Sequence, residues 1–237
     1  MRLPALNGLI RRRLLLNLRV APDRLQPLLP KGLRPLEVDG WGIAGICLIR
    51  LEEIRPAGLP AWAGVASENA AHRVAVAWEG GEGVFIPRRD SDSALNRLVG
   101  GGLFPGEHHR AAFEADDSGD RIRLNMRSRD GETSVRIEAT TCHAMPADSI
   151  FPDLAAASAF FQRGALGYSS TRNGRCLDGI ELAIPAWAMQ PLAVNHAASS
   201  FFDDARRFPK GSVIFDSAFL MRNVSHSWRA RPSLSVA

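Results

Sequence analysis

At 237 residues, 46% hydrophobic and 23% charged, the chain can bury a sizeable core, and its composition is that of an ordinary soluble globular protein. Net charge is only +4 although the pI is about 9.5, because every basic residue except Lys31 and Lys210 is an arginine, which does not titrate in the usable range. The arginines alternate with acids along the chain and lack the concentrated basic face with aromatics that marks a nucleic-acid binder, so no such partner is expected.

Leu14 to Val20 reads as a strand, bounded by Arg11-Arg12-Arg13 and Ala21-Pro22. Pro22 opens a short helix over Asp23 to Leu29, where proline suits the first turn and the acid suits the dipole; Pro30-Lys31-Gly32 stops it. Trp41 to Leu51 is a second apolar strand, with Gly42 and Gly45 suggesting a bulge or close backbone approach. Glu52 to Gly64 reads as a loop. Ala71 to Trp78 alternates as a strand and turns at Gly80-Gly81 into Gly83 to Pro87. Asp90 to Leu98 reads as a helix capped by Asp90 or Ser91 and ended by Gly100-Gly101-Gly102. His108 to Ala115, Arg121 to Arg129 and Thr133 to Thr141 form a half-solvated antiparallel meander. Asp153 caps a second helix through Gln162, stopped by Gly164. Leu177 to Ile184, Trp187 to Leu192 and Val213 to Asn223 complete the strands. With no repeat and no linker, residues 1–237 form a single mainly-β (α+β) domain.

Cys47, Cys142 and Cys176 are odd in number and lack metal-ligand spacing, which points to reduced thiols in a cytoplasmic protein. Cys47 stands in an apolar strand with no histidine nearby in sequence and reads as core. Leu14-Leu15-Leu16 behind the arginines is too short for a signal peptide, and no run approaches the ~18–20 apolar residues that span a bilayer. No membrane association and no cofactor are expected.

The densest cluster of reactive side chains is Glu107-His108-His109-Arg110, behind a Pro-Gly turn. On a strand, His108 and Arg110 share one face while Glu107 and His109 share the other. One face lines a pocket, and Glu107 with His109 is preferred for it, since an imidazole beside a carboxylate serves general acid/base chemistry near neutral pH. The competing reading is a histidine hydrogen-bonded within a β-rich core. Glu68 and His72 form a second pair sharing one strand face. Together with Glu107 or His109 they would suit a mixed metal site, but the sequence has no HExxH, CxxC or EF-hand pattern, and no metal is assigned. Arg88-Arg89 reads either as an anion-greeting pair or as a solvated one. Tyr168, the only tyrosine, is either a donor closing a pocket or a packing residue.

Several stretches taken together resemble the acetoacetate decarboxylase-like superfamily, and more narrowly its uncharacterised YqjF-like branch. They are Val20-Ala21-Pro22-Asp23-Arg24-Leu25, Leu28-Leu29-Pro30-Lys31-Gly32-Leu33, Gly83-Val84-Phe85-Ile86-Pro87 leading into Asp90-Ser91-Asp92-Ser93-Ala94-Leu95, Leu103-Phe104-Pro105, and Ser199 to Arg222. The resemblance implies an antiparallel β-cone or barrel with flanking helices and a closed apolar pocket. In that family a pocket lysine, kept nucleophilic by a neighbouring lysine, forms a Schiff base with a β-keto acid. The pair should follow the aromatic-proline step, where this chain has Gly106 and Glu107, neither able to form an imine. The family's arginine falls near Arg11, within Arg11–Arg13. One family acid falls at Gly45 and is lost, and another is retained as Glu68.

Two functions follow. The first is an enzyme without a Schiff-base lysine, using Glu68, Glu107 and His109 as acid/base groups for aldol-type, hydration or dehydration chemistry. Arg11, His72, His108 and Arg110 would hold a small carbonyl- or carboxylate-bearing molecule, with Arg11 as anion or oxyanion partner. The second is a non-catalytic binding protein that kept only an apolar pocket with polar anchors. A homo-oligomer is expected by resemblance alone.

Overall fold

The two longest apolar runs become two long central strands, β1 (Leu6–Val20) and β4 (Trp41–Pro56), in a computed structural model that describes residues 5–93, 106–171 and 174–235. Between them come α1 (Pro22–Leu25), a 3-10 turn (Gln26–Leu28), and the short strands β2 (Arg34–Pro35) and β3 (Glu37–Val38). Then follow β5 (Val65–Trp78), β6 (Gly81–Ser91), β7 (His108–Ser118), β8 (Arg121–Ser128), β9 (Ser134–Thr141), α2 (Leu154–Arg163), β10 (Leu166–Ser170), β11 (Cys176–Ala183), β12 (Gln190–Ser199) and β13 (Val213–Ser235).

The pairings make two closed circuits that share a wall. β13, β1, β4, β5 and β6 pair in succession. One circuit returns from β6 to β13 through β7, β8, β9 and β12, the other through β10 and β11. Each end of the wall divides its outer edge. β6 pairs with β10 at Val84 and Phe85 but with β7 from Arg89 to Ser91. The shared wall is thus covered on both faces, which is why β1 and β4 read as near-continuous apolar runs rather than alternating ones. On one face Leu14, Leu16, Ile46, Leu48 and Val74 pack against Ile122, Leu124, Met126 and Ile137. On the other, Leu15, Ile43 and Phe219 meet Phe151, Phe160 and Phe161, while Ile10 and Leu51 join Ile180 and Leu182.

The mainly-β expectation and the antiparallel meander hold. The sheet is nevertheless mixed, because β6–β7 and β6–β10 are parallel pairings made by strands far enough apart in sequence to cross over. Asp153 caps α2 as expected, its carboxylate accepting from Ala156 N at 2.7 Å. Three expectations change. The arginine run lies inside β1 instead of before it. Asp90 and Ser91, expected as helix caps, end β6; residues 94–98 of that helix, the triple glycine and Leu103-Phe104-Pro105 lie outside the described residues. The loop expected from Glu52 shrinks, since β4 continues to Pro56 and β5 begins at Val65. No helix among the described residues is long and apolar enough to cross a membrane.

Two histidines are buried as neutral rings. Burial first, then Arg88 and Arg207, lowers His72 to about 3, and burial with Arg13 lowers His226 to about 4. Between pH 6.5 and about 3 the unfolded chain binds a proton at residue 72 that the folded chain refuses, so His72's contribution is complete above 6.5 and is lost as pH falls. Urea unfolding from pH 6.5 to 4.5 is expected to show His72→Phe losing stability less steeply than the parent, by about 1.4 kcal/mol per pH unit. Equal slopes would place the acid sensitivity elsewhere.

Candidate functional site

Strand alternation points a polar set off one face of the shared wall: Arg13 from β1, Cys47 from β4, Asn69 and Arg73 from β5, and Arg89 from β6. His108 joins them because β7 pairs parallel with β6 and sets His108 opposite Arg89. All six line one cavity of about 90 Å³, walled by apolar side chains including Ile49, Val84, Ile180 and Leu182. That volume holds several waters or a small organic ion. Asp90 reaches its edge, but the carboxylate turns to the other face, where Arg88 and Thr133 donate to it.

The three arginines have few partners. Arg13 donates to two sulfurs, Cys47 Sγ at 3.5 Å and Met221 Sδ at 3.7 Å, and lies 5.2 Å over the Trp187 ring. Arg73 donates to Asn17 Oδ1 and stacks 5.0 Å from Phe161, while its Nε is buried without a partner. Arg89 donates to Ser169 Oγ at 3.3 Å, and its Nη2 is buried without a partner. Among the described residues no carboxylate lies in ion-pair range of any of the three. Burial pushes Arg73 and Arg89 down to about 10, with the nearby Cys47 acting in the opposite direction. Three cations in an apolar, uncompensated cavity can hold an anion, and guanidinium forks match carboxylate geometry.

The expected site residues do not converge there, except His108. Arg11 is 51% exposed and bonds Glu52 and Asn223, at the irregularity that shifts the β1–β4 register between Ile10 and Arg12; the cavity takes Arg13, two residues on. Glu68 is buried on the opposite face, where Arg12 Nη2 donates to both its oxygens at 2.9 and 2.7 Å. Burial raises its pKa despite Arg12. His72 is fully buried on that same face beside Phe201, ring centroids 4.7 Å apart. Glu107 is exposed. His109 meets Asp130 Oδ2 at 2.9 Å in an outer groove with Arg88. Arg110 is exposed. Of the two adjacent histidines it is His108, and not the expected His109, that lines the cavity, and Arg110 does not accompany it. Among the described residues no His, Cys, Asp and Glu are grouped to hold a metal.

Arg88-Arg89 splits by parity: Arg88 is bound by Asp90, Asp130 and Glu132, and Arg89 enters the cavity. Sequence reasoning missed Arg73 and Cys47. The available signal was a charged residue at the head of the apolar Val74–Trp78 run, which in a wall buried on both faces must point into something. Tyr168 packs in the core edge-on to Trp78 and donates to Pro232 O at 3.1 Å.

Solved structures share this architecture. An acetoacetate decarboxylase-like enzyme from Sphingomonas wittichii RW1 has a TM-score of 0.64 at 14% identity, over 98% of this chain and 92% of that one. Acetoacetate decarboxylase from Legionella pneumophila gives 0.64 at 12%, over 99% and 88%. The enduracididine biosynthesis enzyme MppR, solved with pyruvate, gives 0.64 at 12%, over 100% and 92%. At such identities the likeness establishes an acetoacetate decarboxylase-like fold and nothing of the chemistry. No curated protein sequence matches the chain. What the sequence does match, over residues 10–216 and so across most of both circuits, is a family without an assigned activity: the chain belongs to the DUF2071 family of uncharacterized conserved proteins.

Proposed function

We propose that the protein binds a small carboxylate-bearing organic molecule in this cavity and does not act by Schiff-base decarboxylation. The observation that carries the reading is the trio Arg13, Arg73 and Arg89, sharing an apolar cavity with no carboxylate counter-ion among the described residues. Leaving guanidinium groups uncompensated inside a protein is costly, and an anionic ligand offsets that cost on binding. The pyruvate complex of MppR favours a keto acid or a relative of one.

Against imine chemistry, Gly106 has φ +90°, and a Cβ there would sit 2.6 Å from Ser169 Cβ, so a lysine has no room at that place. Lys31 and Lys210 are exposed and neither lines the cavity. Acid/base chemistry, if the protein performs aldol or hydration reactions, would run through His108, since Glu68, Glu107 and His109 lie outside. The second reading, a binding protein without catalysis, is favoured by the placement of Glu68, Glu107 and His109 outside the cavity.

Titration calorimetry with pyruvate and with malonate is expected to show binding that neutral acetone does not. Borohydride added with pyruvate should leave the intact mass unchanged. A reduced covalent adduct would overturn the rejection of Schiff-base chemistry, and absence of binding by either anion would overturn the anion site.

A further inference from the structure

Cys47 has no place in a binding site that needs only cations and apolar walls. It is a free thiol, half-buried in the middle of β4, and it lines the cavity. Its sulfur accepts from Arg13 Nε at 3.5 Å and lies close enough to Arg73 and Arg89 to act on both electrostatically. A second, independent observation points to a ligand at the same place: Arg73, more than nine-tenths buried, keeps an unpartnered Nε, and Arg89 an unpartnered Nη2. Reactive cysteines sit in electropositive, partly accessible surroundings of this kind, whereas structural ones sit in apolar surroundings.

We propose that Cys47 is a nucleophile, and that it captures a small carboxylate-bearing electrophile held by the three arginines, an α,β-unsaturated acid being the class that fits. The proposal rests on the anion-binding reading. A carboxylate anchored on the guanidinium groups holds its own carbon chain against the sulfur, and such positioning converts a slow encounter into an intramolecular step. In the step, the sulfur lone pair forms an S–C bond at the β-carbon. The π pair moves onto the α-carbon, where the adjoining carboxylate's developing charge is stabilised by the arginines. The α-carbon takes up one proton and the thiol gives up one. The net change is addition of S–H across C=C, with no oxidant, reductant or leaving group. His108, on the same cavity wall, is placed to carry the proton.

Cys142 and Cys176 serve as internal controls. Both are half-buried free thiols and neither lines the cavity; Cys142 donates to Ala144 O at 3.2 Å in a turn, and Cys176 begins β11. The full chain is treated separately with iodoacetate and iodoacetamide, one anionic and one neutral, and labelling of each cysteine is followed by peptide mass spectrometry. The iodoacetate-to-iodoacetamide rate ratio at Cys47 is expected to exceed that at Cys142 and Cys176 by about tenfold or more, the scale of electrostatic enrichment in a charged cleft. Arg89→Met should bring the ratio at Cys47 down to that of the controls. Acrylate should yield a carboxyethyl adduct at Cys47.

Equal ratios at all three cysteines, or labelling of the controls while Cys47 stays unmodified, overturns the nucleophile. Preference for iodoacetate without an acrylate adduct overturns the substrate class. Pyruvate titrated into Cys47→Ser separates the two layers. Binding retained there, with no anionic preference at Cys47 in the parent, sinks the covalent step and leaves the anion site standing. No pyruvate or malonate binding in the parent sinks both.

Discussion

Replacing Glu68 with alanine is expected to lower the unfolding free energy by about 3–5 kcal/mol, the cost of stranding a buried charge. Arg12 and Glu68 side chains are 4% and 11% exposed, joined at 2.7 Å. With Glu68 gone, Arg12 keeps Asp117 as its one carboxylate among the described residues, 3.7 Å from its Nη1, which favours the lower end of that range. The pair itself is not a large net stabiliser. Burial outweighs Arg12 in setting the Glu68 carboxyl, which is held above the usual carboxylate range. The double replacement Arg12→Met with Glu68→Leu should therefore recover most of the loss, because both desolvation costs vanish together. Urea unfolding of the two single variants and the double variant measures this. A Glu68→Ala protein within about 1 kcal/mol of the parent would show that the pair does not carry its buried charge and would reopen a chemical role for Glu68.

Arg89→Met is expected to weaken anion binding by about 10- to 150-fold, equivalent to one charge-assisted contact of ~1.5–3 kcal/mol. It should do so without loss of fold stability. Arg89 makes one long bond to Ser169 Oγ and leaves Nη2 buried without a partner, so the apo protein gives up little when the charge is removed. Lower affinity with equal or higher unfolding temperature is the mark of a functional charge held at a structural cost. Arg73→Met should also lose affinity, but it strands Asn17 Oδ1, so its stability effect is mixed. Arg11→Met, at an exposed pair on the strand surface, should change neither quantity appreciably. Calorimetry with malonate together with thermal unfolding reads all three. Unchanged affinity in Arg89→Met would remove it from the site.

The contrast between residues 11 and 13, and between 108 and 109, shows where a sequence stops being legible. Period-2 alternation separates His108 from His109 and Arg88 from Arg89 with certainty once the strands are known. It does not say which side of the strand faces a cavity, because that depends on the strands packed above and below. Here β1, β4, β5 and β6 are covered on both faces, so polar residues of either parity are enclosed. Arg12 with Glu68 went to one enclosed face and Arg13 with Arg73 to the other. At residues 108 and 109 the choice of the histidine that enters the cavity could not come from local pattern.

The sequence by itself determined the mainly-β class, the meander of β7 to β9 and the Asp153-capped helix, since propensity, caps and turns are local properties. Only the tertiary structure decided that Arg13, Cys47, Arg73, Arg89 and His108, drawn from five strands, meet in one cavity. Their meeting depends on register across non-local pairings, above all the parallel β6–β7 contact and the return of β10 and β11 over the wall. Those pairings are set by the summed burial of both faces, which no single stretch of the chain encodes.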